Sequence, residues 1–242
     1  MSEHTPTVVL VHGAFADSSS WNGVVERLQS HGHAVVCASN PLRGLSKDSD
    51  YVRQLVRSIA GPVILCGHSY GGSVISDAAH GLDHVKALVF VAAFLPDEGE
   101  SALTLSEKFP GSTLGETLRS VPVTLPDGTR AADLYIDKNA FHQQFAADVP
   151  ETTTAVMAAT QRPVTDAALA EAASAPAWRD IPSWALVATQ DRNIPARTQL
   201  FMAERAKATT VTVDASHAVA VSRPGDVARL IDEAVQATGA HP

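Results

Sequence analysis

A serine between glycines is the first group in this sequence whose setting could support chemistry. The pentapeptide Gly-His-Ser-Tyr-Gly at 67–71 directly follows an apolar run, and a helical pattern begins at its last glycine. A sharp strand-to-helix turn of this kind holds the serine in a strained conformation, and small neighbours two residues away prevent a clash across the turn. The hydroxyl group then lies at a helix N-terminus, where negative charge is favoured. We therefore predict that Ser69 is a nucleophile.

A serine hydroxyl group is a weak nucleophile that needs a base, such as a histidine oriented by a carboxylate. Asp191 and His217 each stand just after an apolar run with the length of a strand. In a parallel sheet the carboxyl ends of the strands lie along one edge, so both side chains would be near the serine. The order Ser69, Asp191, His217 thus predicts a catalytic triad. Asp97, which follows the apolar run 85–94, is the alternative acid.

A serine nucleophile also needs hydrogen-bond donors for the oxyanion that forms when it attacks a carbonyl group. The backbone N–H group of Tyr70, directly after the nucleophile, is the first predicted donor. The second should come from the loop after the first strand, where Ala14 is the candidate and Phe15 the alternative. We expect His12 to orient this loop and His68 to pack beside the turn, without reacting.

Alternating apolar runs and helical patterns predict the elements that must position these groups. Strands are expected at 7–12, 34–39, 62–67, 85–94, 183–189 and 209–215, and helices at 18–32, 48–61, 71–81, 196–208 and 224–239. The strand runs are continuously apolar, which indicates a mostly parallel sheet that is covered on both faces. The sequence therefore predicts an α/β fold with about six mostly parallel strands flanked by helices.

The pattern changes between residues 95 and 180, where no equally strong buried strand occurs. A hairpin is expected at 123–135, with short helices after it. We predict a core formed by 1–94 and 181–242, and a mainly helical cap at 95–180 that is inserted after the fourth core strand. Some large apolar side chains of this insertion should form a roof over the serine, and the candidates are Leu103, Leu105, Phe109, Phe141, Phe145, Met157 and Trp178.

Composition excludes several classes of partner. The formal net charge is −8 and no long Lys/Arg run occurs, so nucleic acid is not an expected partner. Cys37 and Cys66 lie in apolar runs and are expected to be packed free thiols. No Cys/His cluster has metal-ligand spacing, so no metal is expected.

The sequence also predicts where the protein is located. The N-terminus lacks a signal-peptide pattern and the run 87–96 is too short to span a membrane, which predicts a cytoplasmic location. The sequence leaves open whether the protein forms a homodimer.

Four segments, VLVHGAF, GHSYGG, QDRNIP and SHAV, together resemble the α/β-hydrolase superfamily. Within it, the chain is most similar to small capped esterases, namely the relatives of plant methylesterases and hydroxynitrile lyases and of bacterial pyrethroid hydrolases. The resemblance covers nearly the whole chain. It implies an α/β-hydrolase fold with a cap over the site, a small-molecule ester substrate, and neither a metal nor an organic cofactor.

Several activities of this superfamily depend on residues that the chain lacks. Haloalkane dehalogenases and epoxide hydrolases have an aspartate in place of Ser69, and dienelactone hydrolases have a cysteine. Hydroxynitrile lyases have a threonine in place of Gly13 and a lysine in place of Ala218. Perhydrolases and cofactor-free haloperoxidases usually have a methionine in place of Tyr70. The resemblance therefore implies a carboxylic-ester hydrolase, with lactonase, perhydrolase, haloperoxidase and lyase as lesser alternatives.

A small-molecule receptor that keeps the fold but turns over slowly, or not at all, is the main alternative to an esterase. Some hormone receptors have this fold. The complete set of Ser69, Asp191 and His217 favours an active enzyme.

Overall fold

The computed structural model describes residues 5–239, in which strands and helices alternate along the chain. The strands are β1 (Thr7–Val11), β2 (Ala34–Ala38), β3 (Val63–His68), β4 (Val85–Val91), β5 (Leu118–Thr124), β6 (Arg130–Ile136), β7 (Val164–Thr165), β8 (Ser183–Ala188) and β9 (Thr209–Val213). The helices are α1 (Asn22–Ser30), α2 (Leu45–Arg57), α3 (Tyr70–Ala79), α4 (Ala102–Ser106), α5 (Leu114–Thr117), α6 (Phe141–Phe145), α7 (Glu151–Thr160), α8 (Asp166–Ala170), α9 (Ala196–Arg205), α10 (Val219–Ser222) and α11 (Pro224–Ala237).

Within the described residues, six strands form one sheet in the order β2–β1–β3–β4–β8–β9. All neighbouring strands in it are parallel. Strand β4 pairs with β8, so the long segment between them leaves the sheet and returns to the adjacent position. The α/β fold with a parallel sheet of six strands, predicted from the sequence, is confirmed.

The strands of this sheet pack into two apolar layers, one on each face. Val8 and Leu10 of β1 belong to the layer beneath α1 and α11, whereas Val9 and Val11 belong to the layer beneath α2 and α3. All four side chains are fully buried. Because both faces are covered, most positions of the inner strands are apolar, which explains the nearly continuous apolar runs in the sequence.

Several element boundaries differ from the predicted ones, and two of these differences have a clear structural cause. Helix α2 begins at Leu45, three residues early, because the carboxylate of Asp48 turns back to accept the N–H of Arg43 at 3.0 Å. Strand β4 ends at Val91, three residues early, because Ala92 has φ 42° and turns the chain away from the sheet. A pattern of apolar residues shows neither this side-chain cap nor this backbone turn.

The segment between β4 and β8 contains an antiparallel sheet besides its short helices. Strands β5 and β6 form the expected hairpin, and the two-residue strand β7 pairs with β6. The hairpin begins at Leu118, earlier than predicted. The sequence did not indicate this start, because β5 is largely exposed and lacks an alternating apolar pattern. Helices α4 to α8 still supply most of the regular structure, so the segment is mainly helical.

The two cysteines of the chain are free thiols, as expected. Cys66 is buried in β3 and Cys37 is half-buried in β2. None of the helices in residues 5–239 has the length and apolar character needed to cross a membrane.

Candidate active site

Ser69 stands at the turn between β3 and α3, and residues 67–71 are here called the elbow. The serine has φ 55° and ψ −125°, a conformation that costs a residue with a side chain roughly 1–3 kcal/mol. A Cβ atom on Gly67 would lie 2.5 Å from the carbonyl oxygen of Gly71, and one on Gly71 would lie 2.5 Å from the carbonyl oxygen of Val11. Such distances are closer than carbon and oxygen tolerate, so the elbow requires glycine at both positions.

Asp191 and His217 are in direct contact beside the sheet. Nδ1 of His217 lies 2.7 Å from Oδ2 of Asp191, and both side chains are shielded from solvent. The other carboxylate oxygen accepts the N–H groups of Asn193 at 2.7 Å and Ile194 at 3.0 Å. Because an ionised carboxylate only accepts hydrogen bonds, the pair assigns the proton of neutral His217 to Nδ1 and leaves a lone pair on Nε2.

Nε2 of His217 has no hydrogen-bond partner among residues 5–239. In particular, it forms no hydrogen bond with the hydroxyl group of Ser69. Catalytic hydrogen bonds are often formed only when substrate binds. The elbow and the histidine are nevertheless neighbours, because Nε2 of His68 lies 2.8 Å from the carbonyl oxygen of His217 and the two rings are 4.7 Å apart. The ring of Phe145 packs on His217 at 5.0 Å.

The loop after β1 approaches the elbow closely. A Cβ atom on Gly13 would lie 2.7 Å from Cβ of Ser69. His12 helps to hold this loop, because its Nδ1 lies 2.9 Å from the carbonyl oxygen of Gly13 and its own carbonyl oxygen accepts Nδ2 of Asn40 at 3.0 Å. These contacts match the orienting role expected for His12.

The candidate oxyanion donors differ in how they are used. The backbone N–H groups of Ala14 and Tyr70 have no acceptor in the part of the chain that the structure describes. The N–H group of Phe15, the alternative candidate, donates to the carbonyl oxygen of Arg162 at 3.1 Å. Because that donor is already engaged, the geometry favours Ala14 over Phe15.

Asp97, the alternative acid, has other partners. Its carboxylate forms an ion pair with Arg179 and accepts the N–H of Glu98 at 2.9 Å. It is partly exposed, and the carboxylate that contacts His217 is that of Asp191.

A cavity of about 430 Å³ lies over the elbow. Ser69, Ala14 and Tyr70 are among its lining residues. Much of the remaining wall is apolar and comes from the segment between β4 and β8, through Leu103, Phe109, Leu114, Leu118 and Leu169.

The predicted roof residues therefore divide into groups. Leu103 and Phe109 line the cavity, whereas Leu105, Phe141 and Phe145 are buried in the core. Met157 lines a neighbouring cavity of about 400 Å³, and Trp178 donates its ring N–H to the carbonyl oxygen of Pro96 at 2.8 Å. Two of the seven candidate roof residues therefore line the cavity over the elbow, and the other five lie elsewhere.

Sequence reasoning missed two buried side chains that contact the site. The hydroxyl group of Tyr70 donates to Asp48 at 2.8 Å, whereas the sequence pattern assigns Asp48 only to the start of a helix. Gln199 donates to Asp191 at 2.9 Å. The sequence offered one signal for Gln199, namely a polar residue one turn inside the helix that follows Asp191. Across residues 5–239, no group of three or more His, Cys, Asp and Glu side chains is arranged to hold a metal ion.

Burial keeps the two structural histidines of the site uncharged. Burial, with a smaller contribution from neighbouring His217, lowers the pKa of His68 to about 3. Burial also lowers the pKa of His12 to about 4. The pKa of a histidine in an unfolded chain is about 6.5.

The free energy of unfolding should fall when the pH is lowered from 7 to 5. Between the folded and unfolded pKa values, the unfolded chain binds more protons at His12 and His68 than the folded protein does, so acid favours unfolding. The loss at pH 5 is about 2 kcal/mol for each histidine. Urea unfolding at both pH values measures it. His68→Asn should show a smaller loss than the parent, and the exposed control His80→Asn should show the parent's loss; equal losses in all three proteins would contradict the assignment.

The chain matches the Alpha/beta hydrolase family over residues 8–230. It therefore belongs to this family, and it is a hydrolase. It is 25% identical to the alpha/beta hydrolase nvfD of Aspergillus novofumigatus over 250 residues, which cover 95% of this chain and 96% of that protein. It is 32% identical to methylesterase 2 of Arabidopsis thaliana over 123 residues, or 45% of this chain and 47% of that protein, so this second alignment spans only about half of the relative.

The crystal structure of a pyrethroid hydrolase from Sphingobium faniae superposes with a TM-score of 0.77 at 20% identity, covering 98% of this chain and 99% of the other. At this identity the similarity concerns the fold. Together these relatives confirm the predicted resemblance to plant methylesterases and bacterial pyrethroid hydrolases.

Proposed function

We propose that this hydrolase cleaves carboxylic esters through an acyl-enzyme, with Ser69, His217 and Asp191 as its triad. The observation that carries the proposal is the arrangement around Ser69. This strained residue lines a mostly apolar cavity, and the buried pair of His217 and Asp191 lies beside the elbow. Metal-free attack on an ester carbonyl uses these groups in these roles. The esterase names among the relatives support the same reaction class.

In the first half-reaction, the hydroxyl oxygen of Ser69 attacks the ester carbonyl carbon while Nε2 of His217 takes the hydroxyl proton. The carbonyl oxygen becomes an oxyanion, which the backbone N–H groups of Ala14 and Tyr70 stabilise. Asp191 orients the imidazole ring and stabilises its charged form. The tetrahedral intermediate then collapses, and His217 returns the proton to the leaving alcohol.

In the second half-reaction, water replaces the alcohol. His217 removes a proton from the water molecule as it attacks the acyl-enzyme. The same N–H groups stabilise the second oxyanion, and the proton returns to Ser69 as the carboxylic acid leaves. The cycle needs no external oxidant, reductant or cofactor.

We assign residues 95–180 the role of a cap that selects the substrate. Leu103, Phe109 and Leu169 of this segment present apolar surface to the cavity over Ser69. Burying an apolar acyl or alcohol group there removes about 25 cal/mol of unfavourable free energy per Å² of apolar surface. A volume of about 430 Å³ suits esters with a small to medium apolar group.

Removal of one cavity-lining ring should shift the preference among esters of different length. In Phe109→Ala the cavity gains space, so kcat/KM for p-nitrophenyl octanoate relative to the butyrate should rise about 3- to 10-fold. Steady-state kinetics with a series from acetate to laurate measures the shift. Val121→Ala is the matched control, because Val121 is exposed on β5 away from the cavity. An unchanged chain-length profile in Phe109→Ala would contradict the role of this wall.

A further inference from the structure

Gln199 connects Asp191 to the surrounding scaffold. It lies in α9 and is only 2% exposed. Its Nε2 donates to Oδ2 of Asp191 at 2.9 Å and to the carbonyl oxygen of Ile194 at 2.7 Å, while its Oε1 accepts the N–H of Ala188 at 3.1 Å. One amide group thus joins the end of β8, the loop that carries Asp191, and helix α9.

The carboxylate of Asp191 is surrounded by donors. Oδ2 accepts both Nε2 of Gln199 and Nδ1 of His217, and Oδ1 accepts the N–H groups of Asn193 and Ile194. A carboxylate has about four lone-pair sites, so these donors fix its orientation as well as its position. The amide and the imidazole also compete for the negative charge on the same oxygen.

We infer that Gln199 is a positioning residue for the reaction, one that holds Oδ2 of Asp191 towards His217 and takes up part of the charge on that oxygen. The inference rests on the proposed function, in which Asp191 serves His217. Gln199 has no hydrogen bond to Ser69 and is not among the residues that line the cavity, so its effect on the reaction would pass through Asp191.

His68 and Asp148 are further titratable groups close to His217 along the chain or in space. His68 of β3 lies against its ring, and burial lowers the pKa of His68 to about 3, so His68 stays neutral at working pH. Asp148, in the segment between β4 and β8, accepts the N–H of Ser216 next to the histidine at 3.1 Å. Ser216 donates to Asp148 through its N–H and hydroxyl groups, whereas the amide of Gln199 bonds to Asp191 and not to Asp148. A change at Gln199 therefore acts on the Asp191 side of the ring.

Gln199→Met keeps the shape of the side chain and removes its polar atoms. We expect kcat to fall about 10- to 100-fold, the range for loss of a hydrogen bond to a charged group, with KM changed by less than about 3-fold. The freed negative charge on Oδ2 should favour protonated His217, so the acid limb of the kcat/KM profile should move to higher pH by roughly 0.5 to 1 unit. Ester turnover from pH 5 to 9 measures both effects.

Gln161→Met is the matched control. Like Gln199, Gln161 bonds to main-chain groups, but it has no carboxylate partner. It accepts the N–H of Ile136 at 2.9 Å and donates to the carbonyl oxygens of Ile136 at 2.9 Å and Ala158 at 3.0 Å. Its replacement should lower the melting temperature but leave the acid limb where it is in the parent. If Gln199→Met likewise changes only the melting temperature, Gln199 has a structural role alone and the inference is overturned.

Gln199→Glu provides a second test of the inference if the methionine variant does not fold. In its neutral form the introduced carboxyl group can donate to Asp191, whereas its ionised form repels Asp191. Activity of this variant should therefore fall as the pH rises above neutral, where the parent keeps its activity. A profile parallel to that of the parent would overturn the inference.

Ser69→Ala separates a failure of this inference from a failure of the proposed function. If the parent hydrolyses esters and Ser69→Ala does not, the triad mechanism stands, and parent-like kinetics of both variants at Gln199 then refute the positioning role alone. If Ser69→Ala retains the parent's turnover, the proposed function fails, and the positioning role fails with it.

Discussion

Replacing Ser69 with alanine should lower the turnover of p-nitrophenyl esters by on the order of 10⁴-fold or more. The alanine variant lacks the oxygen that forms the acyl-enzyme, so only the oxyanion donors and substrate binding would contribute to the remaining rate. Steady-state kinetics on the purified protein, together with labelling by a fluorophosphonate probe, measures the effect. The parent should be labelled at Ser69, and the variant should not be labelled.

Ser73→Ala is the control for this experiment. Ser73 lies in α3 one turn beyond Ser69, it is 1% exposed, and its hydroxyl group has no partner within residues 5–239. Its replacement should preserve turnover and labelling. Labelling of Ser69→Ala at the parent's rate would refute the mechanism. A parent that binds esters and reacts once without turning over would support the receptor alternative instead.

Asp191→Asn should lower kcat by roughly 10³- to 10⁴-fold. The amide cannot stabilise the charged imidazole as a carboxylate does, and its NH₂ group can donate to Nδ1 of His217, which places the imidazole proton on Nε2 and removes the base. The side chain has nearly the same shape, so its packing should persist. Turnover at the pH optimum, with circular dichroism to confirm folding, measures the effect.

Asp97→Asn is the matched comparison, because Asp97 was the alternative acid in the sequence. Its ion pair with Arg179 is partly exposed, and such pairs contribute about 0–1 kcal/mol to stability. We therefore expect kcat within about 3-fold of the parent. The assignment of the acid is wrong if Asp97→Asn is the variant that loses activity while Asp191→Asn stays close to the parent.

The sheet and the approximate positions of the candidate site residues could be predicted from sequence because their signals are local. A continuous apolar run marks a strand that is buried on both faces, and the glycines around Ser69 mark a turn that excludes side chains. Asp191 and His217 could be located because each follows such a run directly. Parallel topology then implies that the ends of these strands meet.

The contacts that orient the site could not be predicted in the same way because they join side chains from different elements. Gln199 reaches Asp191 across a loop, and Tyr70 reaches Asp48, which is 22 positions earlier. In the sequence each of these residues fits an ordinary helix position. The hairpin β5–β6 was placed only approximately because an exposed strand carries no apolar alternation.

The segment between β4 and β8 is joined to the candidate catalytic loops by main-chain hydrogen bonds. The carbonyl oxygen of Arg162 accepts the N–H of Phe15, and the carbonyl oxygen of Phe145 accepts the N–H of Ala218 at 3.0 Å. Protein engineers who exchange this segment between homologues would therefore also exchange supports of the loops beside Ser69 and His217. A graft must retain acceptors at both places, whereas the exposed tip of the hairpin around Asp127 offers an insertion point for tags or new recognition sequence.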